Sequence, residues 1–210
     1  MKDWRKAESF LALQRYRNEV ALQEGEERMY YQTHFESPLG GITLASDGEH
    51  LSGVWLDGQK YFKSTIKEEM HQKEDLPVLE AAKEWLKLYF DGKRPDASTL
   101  TLSPAGSKFR QEVWKLLLEI PYGQVTTYGA LAAKIAEKRN CASMSAQAIG
   151  GAVSHNPISI IIPCHRVIGT NGSLTGYAGG IEKKIRLLEL EGVDVNRLTD
   201  RAGRFWIKEG

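Results

Sequence analysis

Apolar and polar positions change period several times along the chain. Residues 4–24 set Trp4, Phe10, Leu11, Leu13, Val20 and Leu22 among many charges. That irregular apolar face predicts a leading helix, stopped at Gly25. From Tyr30 the period becomes two. Tyr30–Ser37, Ile42–Ser46 and Leu51–Leu56 read as short strands of an antiparallel meander, parted by Pro38-Leu39-Gly40 and Asp47-Gly48 turns. Pro77 to Asp91 predicts a helix with Leu79, Ala82, Leu86 and Tyr89 on one side and Gly92 beyond its end. Asp91–Leu102 holds Gly, Pro, Asp and Ser and predicts a linker. Ser107 can cap a helix to Glu119 that turns Phe109, Val113, Trp114 and Leu117 inward. After Pro121-Tyr122-Gly123, Thr126 or Thr127 can cap a helix from Tyr128 to Lys138, and Ser143 or Ser145 another to Ser154. Ile160-Ile161-Ile162 reads as a short buried strand ended by Pro163, and Ile181–Leu190 as a last helix with Gly192 as its stop.

The chain of 210 residues can hold one domain or two small ones. No stretch has the apolar length of a membrane span, and Lys2, Asp3, Arg5, Lys6 and Glu8 do not fit a secretory signal. Cys141 and Cys164 are too few for a disulfide framework and lack zinc-ligand spacing. A cytoplasmic, reducing setting is therefore expected. His34, His50 and His71 are scattered and read as surface residues. Net charge is +1, but it is unevenly spread. Residues 1–103 carry 14 basic against 18 acidic side chains, and residues 104–192 carry 10 against 6. Scattered surface charge gives the same totals as a DNA-facing half; the latter predicts weak, salt-sensitive binding to nucleic acid.

Helix, short connector, helix over 128–154 is a helix-turn-helix pattern, and its second helix is the candidate reader. Ala146, Ala148, Gly150, Gly151 and Ala152 leave that helix almost bare. Small residues serve close helix packing, or they slim a helix for a minor groove about 6 Å wide. Cys164 and His165 then follow the isoleucines. A thiol is a strong nucleophile as thiolate, and imidazole can take its proton near neutral pH. Alone, such a pair is more often a buried cysteine beside a surface histidine.

The surroundings change that reading. Pro163-Cys164-His165-Arg166-Val167, preceded by Gly150-Gly151-Ala152 and Asn156-Pro157 and followed by Gly176-Tyr177-Ala178-Gly179-Gly180, resembles the O6-alkylguanine-DNA alkyltransferases. The close match runs from Ser103 to Gly192. The resemblance implies an α+β fold: a small antiparallel-sheet, ribonuclease-H-like domain with its linker over 28–102, then a helical, winged helix-turn-helix-like DNA-binding and alkyl-transfer domain over 103–192. Residues 1–27 form an extension and 193–210 a tail. The implied partner is double-stranded DNA carrying O6-alkylguanine, entered from the minor groove with the base flipped out. The implied reaction is one irreversible transfer of the alkyl group to Cys164, with no metal or organic cofactor. A monomer is expected, the leading helix being available for self-association.

By the same resemblance, Glu191 holds His165, which draws the Cys164 proton through a water. A thiol pKa shifted down from about 8.5 is expected. Asn156 ties the halves of the site together, and Tyr128 crowds the backbone and bonds the flipped base. The Tyr177-Ala178 backbone would donate to O6, and the Val167 carbonyl would accept from the amino group. Ala148, Gly150, Gly151, Val153 and Arg166 complete the DNA- and base-contacting set. Gln147 departs from the pattern, because the family usually has arginine there to fill the hole left by the flipped base. Gln keeps hydrogen-bonding capacity but loses the charge and the planar guanidinium. Arg139 or Lys138 are candidate replacements for that charge. A non-catalytic alkylated-guanine-binding module, a cysteine hydrolase and a helix-turn-helix regulator are the competing readings.

Overall fold

The three strands predicted over 30–56 form the first sheet, although the third, Leu51–Leu56, is buried along its whole length rather than alternately. The computed structural model describes residues 29–199; the helix predicted over 4–24 and the end of the tail lie outside them. Strands β1 (Tyr30–Ser37), β2 (Gly40–Ser46) and β3 (Leu51–Leu56) pair antiparallel in sequence order. A short β4 (Met70–Gln72) adds parallel to β1, giving the order β3-β2-β1-β4. The sheet is thus mixed rather than purely antiparallel, and three residues with little apolar content gave β4 no periodic signal. Helix α1 (Pro77–Phe90) buries Leu79, Ala82, Trp85, Leu86 and Tyr89.

Every residue of β3 is buried, although β3 is an end strand of the sheet. Its outer edge is taken by two later segments. Leu51 N donates to Thr101 O at 2.8 Å and Ser103 N to Leu51 O at 2.9 Å. Val54 N donates to Pro157 O at 2.8 Å and Ser159 N to Val54 O at 2.9 Å. An edge that would otherwise invite foreign strands is covered by the chain's own linker and by the segment leading to Cys164. Apolar packing continues across this seam, so Leu44, Val54 and Leu86 share a core with Trp114, Ile158 and Leu187.

Beyond the linker, which contains a 3-10 turn at Ala97–Thr99, come α2 (Lys108–Leu118), α3 (Tyr128–Lys138) and α4 (Ala146–Ser154). Each is capped by a hydroxyl: Ser107 accepts from Arg110 N, Thr127 from Ala130 N, and Ser145 from Gln147 N and Ala148 N. Strands β5 (Thr126–Thr127) and β6 (Val167–Ile168) pair parallel beside them, and α5 (Ile181–Leu190) closes the domain with Gly192 at φ 79°.

The isoleucine run differs from expectation. Residues 160–162 form a turn and not a strand, with Ile160 at φ 70°, a conformation costly for a β-branched side chain. All three are buried, so apolarity marked burial correctly, but their backbone bonds close locally. Ile161 N reaches Ser159 O at 2.8 Å, and Ile162 N reaches Ile158 O at 3.0 Å. A short apolar run cannot by itself separate a core strand from a core turn.

Candidate active site

That turn is wound around one amide. Asn156 Nδ2 is shared among Ile158 O (3.2 Å), Ile162 O (2.8 Å) and Cys164 Sγ (3.1 Å), while its Oδ1 accepts from Ile158 N at 3.0 Å. Asn156 holds the bend and also touches the sulfur. Cys164, His165 and Arg166 follow as a 3-10 turn, all buried; Cys164 is 5 % exposed and His165 0 %.

Glu191, at the end of α5, accepts five hydrogen bonds. His165 Nε2 (2.8 Å), Arg166 Nη2 (2.9 Å) and the Tyr89 hydroxyl (2.8 Å) meet its Oε1. Arg166 Nε (2.8 Å) and Gly123 N (3.1 Å) meet its Oε2. Burial alone would raise its pKa, but the His165 and Arg166 bonds and charges outweigh it and hold the carboxyl at about 2. An ionised carboxylate only accepts, so His165 Nε2 carries the proton and Nδ1 presents a lone pair. Nδ1 is buried and has no partner among the described residues.

Burial pushes the Cys164 thiol up, against the opposing pull of the Asn156 bond and the Lys184 charge. This corrects the expected downward shift. Burial likewise pushes the His165 imidazole down, with Glu191 opposing. At rest the pair is therefore a neutral thiol beside a neutral imidazole. Desolvation of each buried group is the leading cause, and motif spacing carries no sign of it.

Lys184 stands at the site without any motif that marks it in the sequence. It is 0 % exposed, and its Nζ donates to Val167 O at 2.5 Å and Thr175 O at 3.0 Å. Burial lowers it to about 8, with Cys164 opposing, so it is largely an ammonium at neutral pH. A lysine on the buried stripe of α5, in step with Ile181, Ile185 and Leu188, was the available signal.

The other expected residues fall into two groups. Gln147, Ala148 and Gly151 are exposed on α4, and Gly150 faces Tyr128. Tyr128, half-buried at the start of α3, donates to Thr175 O at 3.1 Å; burial and then Cys164 push it up to about 12. Gly176, at φ 75°, could not carry a Cβ there, which would lie 2.5 Å from the Tyr128 hydroxyl. Tyr177 sets its ring edge against His165, centroids 6.5 Å apart, with Ala178 half-buried after it.

Two residues expected at the DNA face point inward. Val153 is 2 % exposed in the core. Arg166 is spent on Glu191 and on Ile120 O at 2.6 Å, because a buried carboxylate needs a buried cation. The Val167 carbonyl is already bonded to Lys184. Arg139, a candidate substitute for charge near Gln147, pairs with Glu112 at 2.8 Å and lies over Phe109. His34 and His71 are exposed and His50 half-buried, as surface residues.

A thiol, an imidazole with a fixed tautomer and a carboxylate, set against a helix-turn-helix, define a DNA-directed cysteine transferase class. The comparisons make the class specific. The 6-O-methylguanine DNA methyltransferase ribonuclease-like domain matches residues 29–104 and the DNA binding domain of the same family matches 108–193. The chain is 39% identical over 161 residues to a methylated-DNA--protein-cysteine methyltransferase of Haemophilus influenzae, covering 77% of this chain and 86% of that one. It is 43% identical over 165 residues to the Methanosarcina acetivorans protein of the same name, covering 78% and 99%. Among solved structures, Mycobacterium tuberculosis O6-methylguanine methyltransferase superposes with a TM-score of 0.65 at 39% identity, covering 78% of this chain and 93% of that one. Mycobacterium tuberculosis OGT in complex with DNA gives 0.64 at 38%, covering 81% and 94%. The chain belongs to the O6-methylguanine DNA methyltransferase family.

Proposed function

We propose that this protein repairs double-stranded DNA by moving the alkyl group of O6-alkylguanine onto Cys164, once per molecule and without a cofactor. The observation that carries the reading is the buried His165–Glu191 pair beside a buried Cys164 in sequence, with Nε2 fixed by the carboxylate and Nδ1 unpaired among the described residues. DNA approaches α4, whose exposed Gln147, Ala148 and Gly151 put little bulk in its way. The flipped base reaches sulfur when the Tyr128 hydroxyl leaves Thr175 O and the 175–178 segment parts.

The Sγ proton passes to Nδ1 through a water, giving an imidazolium beside the Glu191 carboxylate. Sulfur attacks the alkyl carbon in line; the S–C bond forms as the C–O bond breaks, and the electron pair leaves with guanine. Tyr128, held as a phenol, can donate to that leaving base. Lys184 opposes charge separation at His165 but favours the thiolate. Nothing on the site is arranged to hydrolyse a thioether, so the product persists. A binding module without chemistry would not require Cys164. A monomer in a reducing, cytoplasmic setting fits a thiol that must stay free.

Excess duplex bearing labelled O6-methylguanine tests this. One methyl per protein, then arrest, is the expected result; continued turnover with label released to water contradicts it. Two further outcomes are expected. Gln147→Arg repairs duplex DNA faster than the wild type in single-turnover kinetics, because a guanidinium holds the opened stack better; an unchanged rate argues against a stack-filling place for residue 147. The S-methylated protein melts lower than the free form by calorimetry, since an added methyl in a packed core costs roughly 1–3 kcal/mol.

A further inference from the structure

Cys164, His165 and Glu191 all belong to the C-terminal half, but a fourth group reaches the same carboxylate from the N-terminal half. Tyr89, near the end of α1, is 1 % exposed, and its hydroxyl donates to Glu191 Oε1 at 2.8 Å. That is the oxygen His165 Nε2 also meets at 2.8 Å. The phenol ring cannot easily turn away. It stacks on Trp85, centroids 5.6 Å apart and planes 9° from parallel, and meets Phe90 and Tyr122 edge-on at 5.4 and 6.1 Å. Trp85 is itself tied by its indole N–H to Asp96 O at 3.1 Å.

We propose that Tyr89 is a positioning residue for alkyl transfer: by sharing Glu191 Oε1 with His165, it sets how strongly the carboxylate draws on the imidazole, and so joins the N-terminal domain to the reactivity of Cys164. The proposal rests on the transfer reading above. Its physics is competition for one lone-pair region. Each donor on Oε1 spreads the negative charge, so a third donor weakens the carboxylate's support for an imidazolium. The groups acting on His165 are Glu191 at the end of α5, Arg166 on its own turn and Lys184 from α5, with Tyr177 of the 169–180 loop against its ring. Arg166 and Lys184 disfavour the imidazolium and Glu191 favours it. Tyr89 therefore acts on the favourable contribution, and with its hydroxyl in place His165 stays a free base at lower pH.

The test is the pH dependence of Cys164 alkylation, read by intact mass in a Cys141→Ser background. Two reagents are used: O6-methylguanine in duplex DNA, and iodoacetamide. Tyr89→Phe moves the acid limb of the rate profile up by about one pH unit, the scale of one charge-assisted hydrogen bond. Placing 3-fluorotyrosine at position 89, a stronger donor of nearly the same shape, moves it down. A residue that only packs changes rate or melting temperature and leaves the limb where it was. Should Tyr89→Phe fail to fold, the fluorinated protein gives the answer alone. A limb unmoved by fluorination, or displaced in the same direction by both changes, overturns the proposal. If the wild type takes up iodoacetamide but no methyl from DNA, the transfer reading fails, while the limb read with iodoacetamide still judges Tyr89.

Discussion

Replacing Glu191 by Gln is expected to destabilise the protein by about 3–5 kcal/mol and to stop alkyl transfer. Five donors converge on this side chain, and an amide presents one acceptor and turns an N–H₂ group toward the rest. The larger loss is electrostatic. Arg166 is left as a buried guanidinium with no counter-charge, on a turn two residues from the sulfur. The sign of the pH dependence follows from the depressed carboxyl. Its contribution is complete above the ordinary glutamate value of about 4.3 and is lost as pH falls toward about 2. Urea melts of wild type and Glu191→Gln should therefore lie furthest apart at pH 5–7 and approach each other as pH drops below 4 (roughly the start of that window). A gap that is the same at pH 3 and pH 7 would mean that the carboxylate charge is not what holds Arg166.

Lys184→Met is the second large effect, and it separates charge from packing. The thioether matches the length of the lysine stem and fills the same space, so cavity formation is small. What disappears is the ammonium that favours the thiolate, together with two donors to the Val167 and Thr175 carbonyls. The transfer rate is expected to fall by a factor of ten or more, on the order of one pKa unit at the thiol. Thiolate absorbance should then grow in at higher pH than in the wild type. Stability behaves differently. A buried lysine held at about 8 is a burden while charged, and the burden lifts as pH rises from about 8 toward the unfolded value of about 10.4. The wild type thus gains stability across that window, and the methionine variant lacks the gain. An unchanged thiol titration would remove Lys184 from the chemistry and leave it as a strap between two loops.

Features written locally in the chain are legible in the sequence. The strands beginning at Tyr30, Ile42 and Leu51 follow a two-residue period, and Ser107, Thr127 and Ser145 sit where helix caps must. The helices from Pro77 and Ile181 have no side-chain cap and show instead through their apolar stripes. Features made by distant contacts are not legible there. Tyr89 and Glu191 are 102 residues apart, and nothing in α1 but a well-placed apolar stripe announces the tyrosine. The family resemblance puts Arg166 in the DNA- and base-contacting set. Here the cation answers a buried carboxylate that pattern alone cannot place. The isoleucines at 160–162 were read as a strand because burial and strand formation share one composition signal. Asn156, whose amide ties three backbone and sulfur acceptors together, is what makes a turn possible there.

The upward shift of the Cys164 thiol gives the site a useful property. A neutral, 5 % exposed thiol reacts slowly with stray electrophiles and oxidants until its proton is passed on to His165. Cys141, exposed on the connector before α4, lacks that protection. The two thiols are therefore internal controls for one another. Peptide mapping by mass after exposure to duplex DNA containing O6-methylguanine is the most direct measurement. One methyl group on the peptide holding Cys164, none on that holding Cys141, and no uptake by Cys164→Ser is the predicted result. Methyl on Cys141, or uptake that survives Cys164→Ser, would contradict it.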